Sequence, residues 1–406
     1  MPRRTLTTEH NDQQAYDLRQ LGCSWAAIAE QLGFAGESTA RAAANRHADR
    51  IGIIRGVDAR RAAAGRYAAN RRHNRADATL RGYLNATVTP VPQVLRKITE
   101  RTFGAEIEFT GKYKFQAARD IAFALQAANI PHDLYMGQPH VHCMPYHGDT
   151  CETCGVTLTE KYRHWRVERD GSVTQFRQGE FGGEVVSPIL TIPQFNQVEV
   201  VLKALREETE WQGANYKAKV TDACGLHIHA DVKDLTPHQR ANVVRTWYGL
   251  NNVIATFVAR NRPNNHFCAQ MDDYEIRRVI QLLEHNNRSQ NTFNATTQKY
   301  RSLNVLPFPK IGTFEFRIHQ GTLNATKVRQ WVTLLLAFVE GFATETVEQH
   351  PTEIQTVRFL DTLIAKTDAT PKLKTFFLKR QEQLAPAVAA LRTQDVIPTN
   401  DEREEF

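Results

Sequence analysis

The stretch RTFGAEIEFTG, residues 101–111, alternates apolar residues with two glutamates, Glu106 and Glu108. Side chains two residues apart point to the same face of a β-strand. We therefore expect a strand that turns Phe103, Ala105, Ile107 and Phe109 into the core and both carboxylates to the opposite face. Two carboxylates placed in this way repel each other unless a cation lies close to them.

Three later segments extend this pattern: 182–188 (GGEVVSP), 224–231 (CGLHIHAD) and 312–320 (GTFEFRIHQ). In the last two, apolar residues alternate with carboxylate, imidazole and guanidinium side chains, whereas the first presents a single glutamate before Ser187-Pro188 ends it. These polar residues are Glu184 in the first, His227, His229 and Asp231 in the second, and Glu315, Arg317 and His319 in the third.

These residue types favour a functional face over a solvated one, because a strand that only faces water also uses Lys, Thr and Ser. Carboxylates and imidazoles are ligands for Mg²⁺ or Mn²⁺. A single Glu-x-Glu strand indicates a solvated face, and a pair of sheet histidines is explained as well by hydrogen bonding. Three strands of one design predict a common cleft.

Helical periodicity after residue 101 alternates with these strands, which predicts a mixed α+β body. The helices are expected at 115–128, 194–211, 237–258, 272–285, 324–345, 351–366 and 371–392.

The body from about residue 101 to residue 342 resembles the amidoligase family of the glutamine synthetase and glutamate–cysteine ligase superfamily. The matching stretches are RTFGAEIEF, HWRVERDGSV, GGEVVSPIL, ACGLHIHAD, KYRSLN and TFEFRIHQGTLNATKVRQW. The resemblance implies an α+β fold with a glutamine-synthetase-like curved antiparallel sheet, a funnel with helices on its outer side. It also implies ATP and two divalent cations, Mg²⁺ or Mn²⁺, inside the funnel.

The resemblance implies metal ligands in all four of these segments. Glu106, His227 and Glu315 match the ligands of the cation that bridges the phosphates. Glu108 and Glu184 match ligands of the second cation, nearer the amine and the substrate carboxylate.

Other residues match groups that act on ATP or on the reacting phosphate. His229, Arg317 and Arg301 match phosphate-facing, cofactor-binding positions, and Arg317, Arg301 and Glu315 are the expected catalytic residues. Asp170 lies in an Asp-Gly-Ser turn, where an Asx-turn explains it equally well. His319 receives no role.

The implied activity is ATP-dependent ligation of a carboxylate to an amine through an acyl phosphate, with release of ADP and phosphate. The body has no Gly-x-x-x-x-Gly-Lys-Ser/Thr, so we expect that no P-loop holds the phosphates. A small molecule, a peptide, a protein or a modified nucleobase can each be the substrate. The rival interpretations are a DNA-binding protein whose ligase-like body is a scaffold or ligand sensor, and a phosphotransferase of related fold.

An insert at 135–162 is rich in cysteine and histidine. Cys151-x-x-Cys154 is half of a zinc knuckle, and Cys143 with His147, or with His142 or His140, completes a set for structural Zn²⁺. A redox pair or a substrate-facing loop are the alternatives.

The front of the chain carries the whole basic excess. Residues 1–98 hold 16 Lys and Arg against 8 Asp and Glu, whereas the other 308 residues hold 35 against 36. Three short helices at 9–50, with Ser24 and Ser38 as caps and Gly33 as a turn, resemble helix-turn-helix domains of phage and bacterial DNA-binding proteins. We therefore divide the chain into a helix-turn-helix-like module at 1–54, a basic helix or linker at 55–98, and the ligase-like domain at 99–406.

Targeting signals are not apparent in the sequence. The start MPRRTLTTEH has no apolar stretch after its arginines, and the apolar run 331–339 is shorter than the roughly 20 residues that a membrane span needs. We expect a cytoplasmic protein, in the host cytoplasm if it is phage-encoded, with no membrane partner.

Residues 1–98 are predicted to bind duplex DNA, with Arg41, Arg46 and Arg50 of the third helix as candidate phosphate contacts. Affinity should fall steeply with salt, because arginine–phosphate contacts release counterions. A fluorescence titration of this segment at low and at moderate salt tests it. Absence of binding at low salt would leave an oligomerisation module as the better interpretation.

Overall fold

The structure is a computed structural model, and it describes residues 6–20, 24–50, 97–145, 148–173, 182–211, 213–263, 265–343 and 352–390. The chain divides into two units, Met1–Thr79 and Leu80–Phe406. The basic segment 55–81 lies outside the described residues, as does His147.

The first unit contains three helices: α1 (Leu6–Gln20), α2 (Trp25–Leu32) and α3 (Glu37–Arg50). The Ser24 side chain accepts a hydrogen bond from the amide of Ala27 at 3.2 Å, and Gly33 ends α2 with a φ of 67°. Both residues therefore bound α2 as predicted. Ser38 lies inside α3 and is not its cap. The helices bury a small core of Ala15, Ile28, Ala29, Ala40, Ala43 and Ala44.

Two of the arginines that were candidates for phosphate contact make contacts within this unit. Arg46 binds the Asp12 carboxylate through Nε at 3.0 Å and Nη2 at 2.5 Å. The Arg41 guanidinium lies 5.5 Å from the Trp25 ring centre, and that of Arg19 lies 4.9 Å from it. These contacts hold the helices together. DNA binding by residues 1–98 stays a prediction.

The second unit is built on a seven-stranded sheet with the order β10-β11-β9-β1-β6-β5-β4. Its neighbouring strands are antiparallel, except that β4 and β5 are parallel. The strands are β1 (Phe103–Thr110), β4 (His142–Met144), β5 (Arg166–Glu168), β6 (Gly182–Val186), β9 (Gly225–Asp231), β10 (Leu303–Asn304) and β11 (Thr313–Gln320). Two hairpins stand apart from this sheet and consist of β2 (Asp133–Tyr135) with β3 (Gln138–His140) and of β7 (Thr209–Trp211) with β8 (Ala214–Tyr216).

Helices cover the apolar face of this sheet. They are α4 (Lys114–Ala127), α5 (Asn196–Arg206), α6 (Pro237–Gly249), α7 (Asn251–Ala255), α8 (Asp273–Glu284), α9 (Gln290–Thr296), α10 (Phe308–Ile311), α11 (Ala325–Phe342), α12 (Thr352–Lys366) and α13 (Pro371–Ala390). The ring of Trp247 on α6 lies 4.8 Å from that of Phe316 on β11 and 5.4 Å from that of Phe338 on α11. These aromatic contacts join two helices to the sheet. Within the described residues, no helix combines the length and apolar character needed to cross a membrane.

The predicted mixed α+β class is confirmed, and each predicted helix has a counterpart, with two short helices, α9 and α10, in addition. The helix expected at 237–258 is divided into α6 and α7, and the one expected at 194–211 ends at Arg206, because Thr209–Trp211 forms β7. The expected antiparallel sheet is present except at one edge, where the insert contributes β4 and pairs it in parallel with β5. The sequence pattern did not indicate this strand, since its residues are all buried and show no alternation. The glutamine-synthetase-like funnel stays a prediction.

The strand register places the polar residues of different strands directly opposite one another. Glu106 lies opposite His227, Glu108 opposite Glu184, and His229 opposite Glu315. Directly opposed side chains lie about 5 Å apart, so this register brings the polar faces together.

A register shift in β11 changes the expected position of one residue. Phe316 lies opposite Ile228, but His319 lies opposite Leu226, so β11 holds one extra residue between these pairs. His319 thereby shares the face of Leu226, and its ring lies 4.9 Å from that of Trp331 on α11. The prediction that His319 lies on one face with Glu315 and Arg317 is therefore wrong, because a bulge reverses the alternation.

Arg101, at the start of β1, is fully buried and links three parts of the fold. Its Nε donates to Glu340 on α11 at 2.5 Å, and its two terminal nitrogens reach Asp234 at 2.9 Å. A third contact is to the backbone carbonyl of Asp231.

Arg101→Ala should therefore destabilise the second unit by about 3–5 kcal/mol, because it removes the guanidinium that neutralises a buried carboxylate. Urea unfolding of the full chain, followed by tryptophan fluorescence, measures this loss. Arg163→Ala is the control, since Arg163 forms an exposed pair with Glu160 and should matter little. Equal losses in both variants would contradict a central role for Arg101.

Candidate active site

Glu106 contacts both histidines of the polar face. Its Oε2 lies 3.3 Å from His227 Nδ1, and its Oε1 lies 3.2 Å from His229 Nε2. His227 also reaches Glu108, with 3.5 Å between Nε2 and Oε1, and Glu315, with 3.7 Å between Nδ1 and Oε1. The structure thus brings five of the predicted site residues into one cluster.

Glu315 is fixed by two partners. Asn304 Nδ2 on β10 donates to its Oε2 at 2.6 Å, and Arg317 Nη1 donates to its Oε1. Burial raises the pKa of Glu315, but the positive charge of Arg317 outweighs it and the net pKa lies below the ordinary value. Burial lowers the pKa of Arg317, whereas Glu315 raises it, and the net pKa is raised. Both groups are held in their charged forms.

Glu108 is anchored by the backbone at Gly225, whose amide donates to Oε2 at 2.6 Å. A Cβ at Gly225 would lie only 2.6 Å from His227 Nε2, so a larger residue would push the imidazole out of place. Burial raises the pKa of Glu108, and His227 opposes this effect only in part.

Glu184 is in a different electrostatic position. Burial raises its pKa first, and the neighbouring charges of Glu106, Asp170, Glu168 and Glu108 raise it further, well above the ordinary value. In contrast, the pKa of Glu106 lies well below its ordinary value, because hydrogen bonds from His227 and His229 outweigh burial. A cation beside Glu184 would relieve the repulsion that the histidines relieve at Glu106.

Three overlapping groups of donors could each hold a metal ion. They are Glu106 with Glu184 and His227, Glu106 with His229 and Glu315, and Glu108 with Asp170 and Glu184, and within each group the ligand atoms lie within 4.8 Å of one another. All donors are carboxylate oxygens or imidazole nitrogens, the set that suits Mg²⁺ and Mn²⁺. The residues present therefore fit the implied cations. His227 and His229 both lie beside Glu106, and His227 also lies 3.7 Å from Glu315, so the assignment of ligands to each cation stays a prediction.

Arg301 does not join this cluster through the contacts that the structure describes. Its Nε and Nη2 bind Glu275 on α8 at 2.9 and 2.7 Å, and Nη1 binds the carbonyl of Gln270. Glu275 itself is buried. This pair fixes the segment before β10, and a role for Arg301 at phosphate stays a prediction.

Asp170 forms an Asx-turn and also lies close to two carboxylates of the cluster. Its Oδ1 accepts from the Ser172 amide at 2.7 Å and from the Ser172 hydroxyl at 2.8 Å, which is an Asx-turn. The same side chain belongs to the group with Glu108 and Glu184.

Sequence reasoning missed two supporting residues, Asn304 and Gly225. Asn304 is the last residue of KYRSLN and of β10, where it lies directly opposite Glu315, and pairing of β10 with β11 was the signal that could have found it. Gly225 precedes the His-x-His pair, where a glycine between Cys224 and Leu226 indicated a close approach.

The cysteines of the insert lie in a second cluster at the other end of the sheet. Cys143 is on β4, the outermost strand, and Cys151 and Cys154 lie in the turns that follow it. His140 and His142 lie beside Cys151 and Cys154.

A cavity of about 480 Å³ opens beside Glu106 and His229. Small-molecule sites usually have volumes of about 300–1,000 Å³, so this cavity can admit a substrate. Its cationic lining residues are Arg166, Lys233 and Lys310.

Residues 99–339 match the family model described as "Putative amidoligase enzyme". The chain belongs to the amidoligase family. Membership indicates a ligase-type enzyme, and the matched range contains every carboxylate and imidazole of the cluster. No curated protein sequence matches this amidoligase.

Mg²⁺ or Mn²⁺ should raise the melting temperature of the amidoligase, because a ligand that binds only the folded state stabilises it. Glu184→Gln should abolish this increase while leaving the metal-free protein as stable or more stable, since it removes one of the mutually repelling carboxylates. Differential scanning fluorimetry with and without metal measures both effects.

Glu208→Gln, at an exposed position, serves as the control and should keep the full metal response. If Glu184→Gln responds to metal like the unaltered protein, the cluster is not the metal site.

Proposed function

We propose that this amidoligase joins a carboxylate to an amine at the expense of ATP, through an acyl phosphate. The observation that carries the proposal is that Glu106 and Glu184 each belong to two donor groups, so neighbouring cations could share these ligands. Neighbouring cations are what the clustered charge of a triphosphate requires. The family assignment supplies the reaction class.

The proposed chemistry has two balanced steps. An oxygen of the substrate carboxylate attacks the γ-phosphorus of ATP, the bond to the bridging oxygen breaks, and ADP leaves. The amine then attacks the acyl carbon, the carbon–oxygen bond breaks, and inorganic phosphate leaves with the electron pair while the nitrogen loses a proton. Bound divalent cations would neutralise the phosphate oxygens during the first step.

Within this proposal, the described side chains position the reactants and stabilise charge. Arg317 is held in place by Glu315, and its fixed positive charge suits the oxygens of the transferred phosphoryl group. His229 borders both Glu106 and the cavity, so it is suited to contact phosphate or to complete a metal site. No side-chain nucleophile is needed.

The cavity suggests the kind of acid that is bound. Lys233 and Lys310 are exposed at the rim, beside apolar walls that include Pro188 and Ile189. We infer an anionic substrate with an apolar portion, such as a small acid or a peptide carboxylate.

Metal-dependent release of ADP that increases when acid and amine are supplied together is the expected activity. Glu315→Gln should lower kcat/KM by an amount equal to several kcal/mol of transition-state stabilisation, because it weakens the cation site. Arg317→Ala should lower it at least ~10²-fold, because a charge near the developing phosphoryl charge is lost. Mass spectrometry of substrate pools incubated with enzyme, ATP and Mg²⁺ identifies the product.

Glu207→Gln and Arg278→Ala, both at exposed positions, are the matched controls and should keep full activity. Melting temperatures of all variants separate lost chemistry from lost folding. Unchanged activity in both site variants would place the chemistry elsewhere. AMP and pyrophosphate as products would indicate an adenylate, and phosphate transfer that does not depend on an amine would indicate a phosphotransferase.

A further inference from the structure

The insert brings together four side chains with a ligand chemistry unlike that of the carboxylate cluster. His140 and His142 come from β3 and β4, and Cys151 and Cys154 come from the turns after β4. One ligand atom from each lies within 4.8 Å of the other three. We propose that these four residues bind a structural Zn²⁺.

The distances agree with one tetrahedral ion. His140 Nε2 lies 3.2 Å from Cys151 Sγ and 3.5 Å from Cys154 Sγ. Zinc at about 2.3 Å from sulfur and about 2.05 Å from nitrogen places these ligand atoms roughly 3.5 Å apart. The three side chains of His140, Cys151 and Cys154 thus already stand at nearly the separations that a shared ion requires.

His142 provides the second, independent observation. It is 4% exposed, and its Nδ1 is buried with no hydrogen-bond partner among the residues that the structure describes. Its other nitrogen, Nε2, is bound to Asp133, which also accepts from His164 Nδ1 at 2.8 Å. An imidazole held by a carboxylate on one nitrogen presents the lone pair of the other, which is how zinc-binding histidines are oriented. A zinc ion shared with Cys151, which the His142 side chain also contacts, accounts for the orientation of Nδ1.

The ligand set differs from the one that the sequence favoured. Cys143 is buried, its Sγ lies 2.5 Å from Thr153 Oγ1, and it also hydrogen-bonds to Cys151, but it is not one of the four residues whose ligand atoms all lie within 4.8 Å of one another. His147 lies outside the described residues. The ligand atoms that lie close together thus belong to two histidines and two cysteines. A set of thiolates and imidazoles favours zinc over Mg²⁺.

The position of the site in the sheet defines what zinc would do. β4 pairs in parallel with β5, and on β5 Glu168 lies opposite Glu184. A bound ion would close the turns of the insert against this edge and hold β5 beside the carboxylate cluster. The role is structural, because all four zinc positions are occupied by protein and none is left for substrate.

Elemental analysis of the purified full-length protein should find about one zinc per chain. The double variant Cys151→Ser/Cys154→Ser should contain none and should melt at a lower temperature. Cys143→Ser is the matched control from the same loop and should keep its zinc. Release of zinc from the unaltered protein by a thiol-modifying mercurial, followed with a zinc-sensitive dye, gives a readout that does not depend on the variants folding.

Several results would overturn the proposal. Zinc absent from the unaltered protein, or a mass lower by two hydrogens that shows a Cys151–Cys154 disulfide, excludes a zinc site. Zinc retained in the double variant would move the ion to the neighbouring group of Asp133, His142 and His164. Zinc lost from Cys143→Ser would show that the ligand set is misassigned. Because none of these readouts uses ATP or substrate, they are independent of the proposed ligase activity.

Discussion

Repulsion between carboxylates on one face of the sheet is the constraint on which the candidate site depends. Glu106, Glu108, Asp170 and Glu184 share overlapping groups whose ligand atoms lie within 4.8 Å. Two such charges repel by about 3–4 kcal/mol at an effective dielectric constant of about 20. The surrounding residues offset this repulsion unevenly. Two histidines form hydrogen bonds with Glu106, and a backbone amide donates to Glu108. Glu184 keeps a strongly raised pKa. The repulsion between carboxylates is therefore offset least around Glu184.

The alternation of β1 and β9 was enough to predict which side chains share a face. The pairing register, which the structure supplies, then fixes the neighbours of Glu106 and Glu108. The same rule failed in β11, since a bulge depends on the register with β9 and leaves no mark in the composition of β11 itself. It therefore misplaced His319. Arg301 shows another limit, because its bidentate pairing with Glu275 depends on the position of α8, which no local pattern contains.

The sheet carries two clusters whose donor atoms differ in kind. Around Glu106 the donors are oxygens and imidazole nitrogens, whereas around Cys151 they are sulfurs and imidazole nitrogens. Hard cations prefer the first set and zinc the second, so the two clusters do not compete for one ion. β5 lies between them, paired with β4 on one side and with β6 on the other. The order of the strands therefore leaves only β5 between the strand of the insert, β4, and β6, the strand that carries Glu184.

Both outer strands of the sheet are short: β4 has three residues and β10 has two. A long, flat and unpaired strand offers its amides and carbonyls to any other chain, and proteins avoid this by keeping such edges brief. The five inner strands can therefore be strongly apolar on one face without exposing a template for intermolecular pairing. The short edge strands therefore limit aggregation during synthesis, when many copies of the chain are close together.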